Sequence, residues 1–276
     1  MTISACRKYI EEQILSIADD CASVEAEQIL IEVLQVSRTY LYAYPEREIQ
    51  QESRCRIEEL TKRRAAGEPL QYILGEAPFM GFEFIVRTGV LIPRRDTEVL
   101  VENALPYCRG KRVLDLCTGS GCIGISVALL GNPAVVALSD ISPIALNVAG
   151  ENAERHGISP VFYEGNFLKA IPANITFDVI LSNPPYITST EMETLPLDVR
   201  QYEPALALQA GSDGLEAYRE ILQDIDRVLV PGGYVFFEIG CAQGMAVSGL
   251  LQERGFSDIQ VLQDYGGRDR VVFGRR

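Results

Sequence analysis

The spacing of hydrophobic positions changes period along the chain, and each change predicts a different kind of element. In the first part apolar residues recur at helical intervals between charged ones: Ile10, Ile14 and Ile17, then Ile29, Leu30, Val33 and Leu34, then Ile57 and Leu60. That spacing puts one apolar stripe on each helix. Breaks fall at Asp19-Asp20, at Pro45 and at Gly67-Glu68-Pro69, where turn residues end helices. No glycine occurs before Gly67, whereas the remainder is glycine-rich. This shift marks a boundary, so residues 1–75 are predicted to form a small helical bundle. Its charges over 46–66 read as a solvated face. The pattern leaves open whether the bundle props the next domain or binds a partner.

Over Phe79–Val86 the period becomes two, followed by a turn at Arg87-Thr88-Gly89 and by Val90-Leu91-Ile92. This predicts a β-hairpin, within a linker spanning residues 76–95. Pro93 to Glu98 then leads into a helix over 99–107, with Asp96 or Thr97 as its cap and Glu98 in its first turn. Capping alone accounts for those acids.

From Lys111 onward strand and helix patterns alternate. Arg112–Leu116 reads as a strand, Cys117–Gly121 as a loop, the stretch to Leu130 as a helix and Val135–Asp140 as a second strand. Val161–Glu164 and Phe177–Ser182 continue the series, and segments 234–239, 258–262 and 270–274 are further strands. Alternation of this kind predicts an α/β domain over residues 96–276, with a doubly wound, mostly parallel sheet.

Composition narrows the classes. The chain has 276 residues, 47% hydrophobic and 23% charged, as soluble globular proteins do. A net charge of −13 opposes a life on the nucleic acid backbone. No run reaches the roughly 18 apolar residues of a membrane span, and Arg7, Lys8, Glu11 and Glu12 interrupt the first segment, which is unlike a signal peptide. A cytoplasmic location without membrane contact is expected. Seven cysteines with no C-x-x-C pair and a single histidine, His156, suit neither a disulfide framework nor a metal site. His156 precedes Gly157 at a helix end, where an exposed cation is expected rather than a catalytic base.

The candidate chemistry lies at strand ends. Gly119-x-Gly121-x-x-Gly124 follows the first strand and fits either a dinucleotide or a nucleoside cofactor. Asp115 favours the latter: a carboxylate there would repel a pyrophosphate but welcome an ammonium and a sulfonium, directly or through water. Asp140, ending the next strand, can accept both hydroxyls of a ribose. Phe167 could cover an adenine face and Asn166 pair with its edge, although taken singly they fit a buried aromatic beside a turn. Asn183-Pro184-Pro185-Tyr186 follows the apolar strand Phe177–Ser182. Its two prolines lack N–H groups and stiffen the backbone. A planar NH2 group could give one hydrogen to the Asn183 side-chain carbonyl and the other to the Pro184 carbonyl. By itself the motif is equally a rigid corner.

Taken together, these features resemble a class I S-adenosylmethionine-dependent methyltransferase. Residues 67–98, the tract Gln201–Leu208 with Gly211–Leu215, and Asp264–Val272 closely resemble the HemK/PrmC family, over essentially the whole chain. That family methylates the glutamine of the Gly-Gly-Gln loop in peptide-chain release factors. The resemblance implies a Rossmann-like sheet of seven strands, the last antiparallel, behind a helical bundle and hairpin linker. It assigns the cofactor S-adenosyl-L-methionine, with S-adenosyl-L-homocysteine as product, to Asp115, Cys117, Thr118, Gly119, Ser120, Gly121, Asp140, Asn166, Phe167 and Asn183. Asn183 and Pro184 would be catalytic, and Asn183, Pro184, Pro185 and Tyr186 would bind the substrate glutamine. The expected partner is a release factor, contacted in part through residues 1–75, with a monomeric enzyme, no metal and no direct nucleic acid contact. Two positions depart from the family pattern: Cys117 stands where Gly is general and Arg95 where Pro is common. Two rivals share the fold: an adenine-N6 nucleic-acid methyltransferase, which charge opposes and which lacks an added target-recognition domain, and a non-catalytic binding protein.

Overall fold

The computed structural model describes residues 1–276. The chain forms two compact units: Met1–Gly75 with Pro196–Tyr202, and Glu76–Leu195 with Glu203–Arg276.

In the first unit the helix Ile3–Ala18 starts at Thr2, whose hydroxyl accepts the Ala5 N–H at 3.3 Å, satisfying one of the unpaired donors of the first turn. It buries Ile3, Cys6, Ile10, Ile14 and Ala18. Ile17 is 38% exposed: the stripe advances from Ile14 to Ala18, and Ile17 falls to its flank. Helices Ala22–Leu34 and Gln51–Ala65 complete the core with Ala26, Ile29, Leu30, Ile57 and Leu60. Glu27 is buried at this core, its carboxylate accepting from Arg38 Nε at 2.6 Å and from the Tyr42 hydroxyl. Tyr202 returns from the later part of the chain and donates to the Ala66 carbonyl.

The second unit opens on an antiparallel hairpin, β1 (Glu76–Phe79) and β2 (Phe82–Ile85). The expected turn at Arg87-Thr88-Gly89 is therefore misplaced. Met80 and Gly81 both take positive φ, 52° and 79°, as a two-residue hairpin turn matched to strand twist requires. Segment 89–91 instead passes beside the cavity described below. His156, expected as an exposed cation, is half-buried against Phe82 and Phe84. Its Nε2 lies 2.9 Å from the Glu83 carbonyl, which can only accept, so that nitrogen carries the hydrogen.

Seven further strands form one sheet: β3 (Arg112–Leu116), β4 (Val135–Asp140), β5 (Val161–Glu164), β6 (Phe177–Ser182), β7 (Leu229–Glu238), β8 (Ser257–Gln263) and β9 (Asp269–Arg275). Their order is β5-β4-β3-β6-β7-β9-β8. All pairings are parallel except those of β9, which is antiparallel to both neighbours. Buried on both faces, the inner strands divide their residues by parity, whereas the edge strands β5 and β8 are largely exposed. Val113, Val179, Leu181 and Phe236 face helices Glu98–Cys108, Cys122–Gly131 and Pro143–Arg155. Leu114, Leu116, Ile180 and Phe237 face helices Glu216–Val228 and Gly244–Glu253. Burying each large apolar side chain contributes about 1.5–3 kcal/mol, which fixes the register. The chain winds one way from β3 through β4 to β5 and the other way from β6, so the topological switch lies between the carboxyl ends of β3 and β6, where open α/β sheets bind ligands. No helix is long and apolar enough to cross a membrane.

Candidate active site

Three loops meet at that switch point. The first leaves β3 as Cys117–Gly121. Its turn closes through the Gly121 N–H to the Thr118 carbonyl at 2.9 Å, and the Thr118 N–H reaches the Ser139 carbonyl of β4 at 3.0 Å. Gly119 and Gly121 adopt φ of 55° and 83°, which only glycine does without strain. Gly124 serves close packing instead: a Cβ there would stand 2.3 Å from Leu138 Cδ2 and 2.9 Å from Asp115 Cβ. The helix N-terminus therefore presses directly on the strand beneath.

Cys117 holds a backbone conformation that suits glycine. Its φ is 63°, a left-handed conformation that costs a side chain about 1–2 kcal/mol. Cys117→Gly is expected to relieve this, less about 0.5–1 kcal/mol for the freedom of an unfolded glycine. The melting temperature should rise by roughly 1–4 °C, read by calorimetry; a fall would refute the strain. Burial pushes the Cys117 thiol up, so it is no thiolate nucleophile.

Asp115 lies wholly beneath this loop. Its Oδ2 accepts the Thr118 hydroxyl at 2.5 Å and the Gly124 N–H at 2.8 Å, while Oδ1 has no partner. Burial pushes its pKa up to about 7 against those two hydrogen bonds. Asp140 ends β4 with Oδ2 on the Gly119 N–H and Oδ1 on the Ser142 N–H, both at 2.9 Å. Burial raises its pKa too. Gly165, φ 148°, and Phe167, φ 43°, turn the chain after β5. Asn166 Nδ2 donates to Glu220 Oε1 at 2.8 Å, and Lys169 Nζ reaches the same oxygen at 2.6 Å.

The third loop, Asn183–Tyr186, follows β6. Tyr186 packs against the core, and its hydroxyl pKa is raised by burial and then by the Glu238 charge. Gln243 pins the loop: its Nε2 donates to the Tyr186 carbonyl at 3.0 Å and to the Gly214 carbonyl at 3.2 Å, while its Oε1 accepts from the Gly240 N–H. Asn183 Nδ2 donates to Thr97 Oγ1 at 3.4 Å.

These loops enclose a cavity of about 280 Å³. Cys117, Gly119, Asp140, Asn166, Phe167, Asn183 and Pro185 line it. Asp115, Thr118, Ser120, Gly121, Pro184 and Tyr186, also expected at the site, do not line it. A Cβ on Gly119 would meet no atom within 4 Å, so the loop faces open space. Gly89, Val90, Leu91, Leu206, Ala207, Gln209 and Ala210 also border the cavity; five of them fall in the family-like tracts 67–98 and Gln201–Leu208, which had been given no binding role. Thr97, Gln243 and Glu238 were also missed. Glu238 ends β7 just as Asp140 ends β4, and that strand-end signal could have found it. It is buried, and burial pushes its pKa up to about 7 against the hydrogens of Thr97, the charge of Arg270 and the amide of Asn183. No group of three His, Cys, Asp or Glu side chains could hold a metal ion.

Known proteins resemble this chain in both of its parts. The PrmC N-terminal domain family matches residues 7–75, and the Methyltransferase small domain family matches residues 94–197. A release factor glutamine methyltransferase of Geobacter sulfurreducens is 42% identical over 92% of this chain and 89% of its own length. One from Clostridium acetobutylicum is 39% identical over 95% of each. Among solved structures, a Thermus thermophilus 16S rRNA N2 G1207 methyltransferase, in complex with AdoMet and guanosine, superposes on 73% of this chain and 49% of its own with a TM-score of 0.54 at 18% identity, a likeness of fold.

Proposed function

The chain belongs to the release factor glutamine methyltransferase family, and from that premise we propose that it methylates the side-chain amide nitrogen of the glutamine in the Gly-Gly-Gln loop of release factors. The observation that carries this reading is that Asn183, from a loop built to accept hydrogens, borders the same cavity as the cofactor residues Asp140 and Gly119. The partner is a protein loop and not a nucleic acid, in keeping with a net charge of −13.

S-adenosyl-L-methionine, the methyl donor, supplies an electrophilic methyl carbon when bound. The residues present fit it: the Asp115 carboxylate beneath the loop, with Oδ1 unpartnered, would attract an ammonium by its charge, and Asp140 keeps lone pairs for ribose hydroxyls. Phe167 and Asn166 border the space left for the adenine.

An amide nitrogen is a weak nucleophile because its lone pair is shared with the carbonyl. Asn183 Oδ1 and the Pro184 carbonyl would take the two NH2 hydrogens and turn the nitrogen toward the donor side of the cavity. The same two oxygens stabilise the positive charge that grows on nitrogen. Pro185 keeps the corner rigid, and Gln243 fixes its far end through the Tyr186 carbonyl. No base needs to act before transfer.

Incubation with labelled donor and a release factor, with and without its Gln replaced, tests the reading. Label must enter the protein and disappear with the Gln; label in DNA, or none, would refute it. Asp140→Ala is expected to weaken donor binding roughly tenfold or more, since hydrogen bonds to a charged group contribute about 1.5–3 kcal/mol. It should also lower the melting temperature modestly, because Gly119 and Ser142 lose their acceptor. Calorimetric titration beside a melting curve checks both, and unchanged affinity would remove Asp140 from the site.

A further inference from the structure

Behind Asn183 lies a polar cluster that the cavity does not contain. β6 and β7 run parallel with Ser182 opposite Phe237, so one step further Asn183 and Glu238 are neighbours on the face toward helix Glu98–Cys108. Thr97, buried at the start of that helix, receives the Asn183 NH2 at 3.4 Å. Glu238 is 1% exposed, and its Oε2 has no hydrogen-bond partner. Arg270 from β9 is the nearby cation, but its Nη2 already lies 3.2 Å from both Asp96 and Asp264. The buried carboxylate therefore stands beside a donor-bearing amide without being the contact partner of the arginine.

We propose that Glu238 is a positioning residue for methyl transfer: with Thr97 it holds the NH2 end of Asn183, so that Asn183 Oδ1 is the atom turned toward the substrate amide. A carboxylate only accepts, and an asparagine amide has one donating and one accepting end. Without an acceptor behind it, the Asn183 amide is free to rotate half a turn and set its own NH2 against the substrate NH2. Donor meets donor, and the productive orientation is lost. The inference rests on the acceptor role of Asn183 given above, and the test separates the two.

The experiment is a double-mutant cycle on the full chain, reading kcat, KM for the protein substrate, donor affinity and melting temperature. Glu238→Leu, which removes both acceptors, is expected to lower kcat roughly thirtyfold at unchanged donor affinity. Glu238→Gln keeps one acceptor oxygen and should stay within about fivefold of the parent. On an Asn183→Ala background neither change should lower kcat further, because a residue acting through Asn183 has nothing left to orient. If Glu238→Leu melts below the assay temperature, Thr97→Val replaces it, with a several-fold loss that also vanishes on that background. Effects that multiply with Asn183→Ala, a parallel loss of donor affinity, or normal kcat in Glu238→Leu would overturn the proposal. Full activity of Asn183→Ala would instead strike the acceptor mechanism itself.

Discussion

Asn183→Ala is expected to reduce turnover by roughly a hundredfold or more at saturating donor, with a melting temperature only modestly below that of the parent. The size follows from what the side chain does. One of two acceptors for the substrate NH2 disappears, so the nitrogen can rotate back into conjugation with its carbonyl. The charge developing on it loses a preorganised dipole, and removing one such group commonly lowers kcat by about 10²–10³. Stability should fall only modestly, since Asn183 donates a long hydrogen bond to Thr97 and offers its amide to the buried Glu238 carboxylate. Asn183→Asp is a sharper companion: it keeps an acceptor but adds a negative charge beside buried Glu238, whose pKa is already raised to about 7. Single-turnover assays with labelled donor measure the chemical step. Near-normal turnover in Asn183→Ala would remove this residue from the mechanism.

The sheet was legible because its inner strands are apolar on both faces and separated by glycine-containing turns, a signal that survives without tertiary information. The loops at the switch point were legible for the same reason, since acids and glycines at strand ends have few structural uses. What the pattern could not show is which of these face the ligand. Asp115 and Asp140 read alike along the chain. Yet one is sealed beneath the loop by Thr118 and Gly124, whereas the other lines the cavity. The hairpin was misplaced because Gly81 and Gly89 are both plausible turns; the positive φ at Met80 and Gly81 decides between them. Thr97 looked like a helix cap, and its helix does begin beside it. Its hydroxyl, however, accepts from Asn183, 86 positions away in the chain, a contact that no local pattern encodes.

The second large effect concerns Asp115. Asp115→Asn is expected to stabilise the protein above neutrality and to weaken donor binding. A carboxyl near 3.9 in the unfolded chain and about 7 in the fold binds its proton more tightly when folded. The resulting penalty is fully present above pH 7, shrinks as pH falls toward 4, and amounts to at most about 4 kcal/mol. Glu238, pushed up to about 7, adds a penalty of the same sign. Stability of the parent should therefore rise from pH 8 to about 5.5. At lower pH, carboxylates whose pKa is lowered, such as Glu27 with its Tyr42 and Arg38 partners and Asp264 with the Arg268 N–H, lose their partners and reverse the trend. Asp115→Asn should flatten the slope and raise the melting temperature at pH 8. It discards the negative charge lying beneath the loop, which attracts an ammonium in the cavity across that loop, so donor affinity should fall roughly tenfold or more. Binding of that ammonium favours the ionised carboxyl, so near pH 6.5 the parent should release protons to buffer on binding donor while the variant does not. Titration calorimetry in two buffers of different ionisation enthalpy reads this directly. A stabilised variant with undiminished donor affinity would mean that Asp115 only braces the loop, with the ammonium held elsewhere.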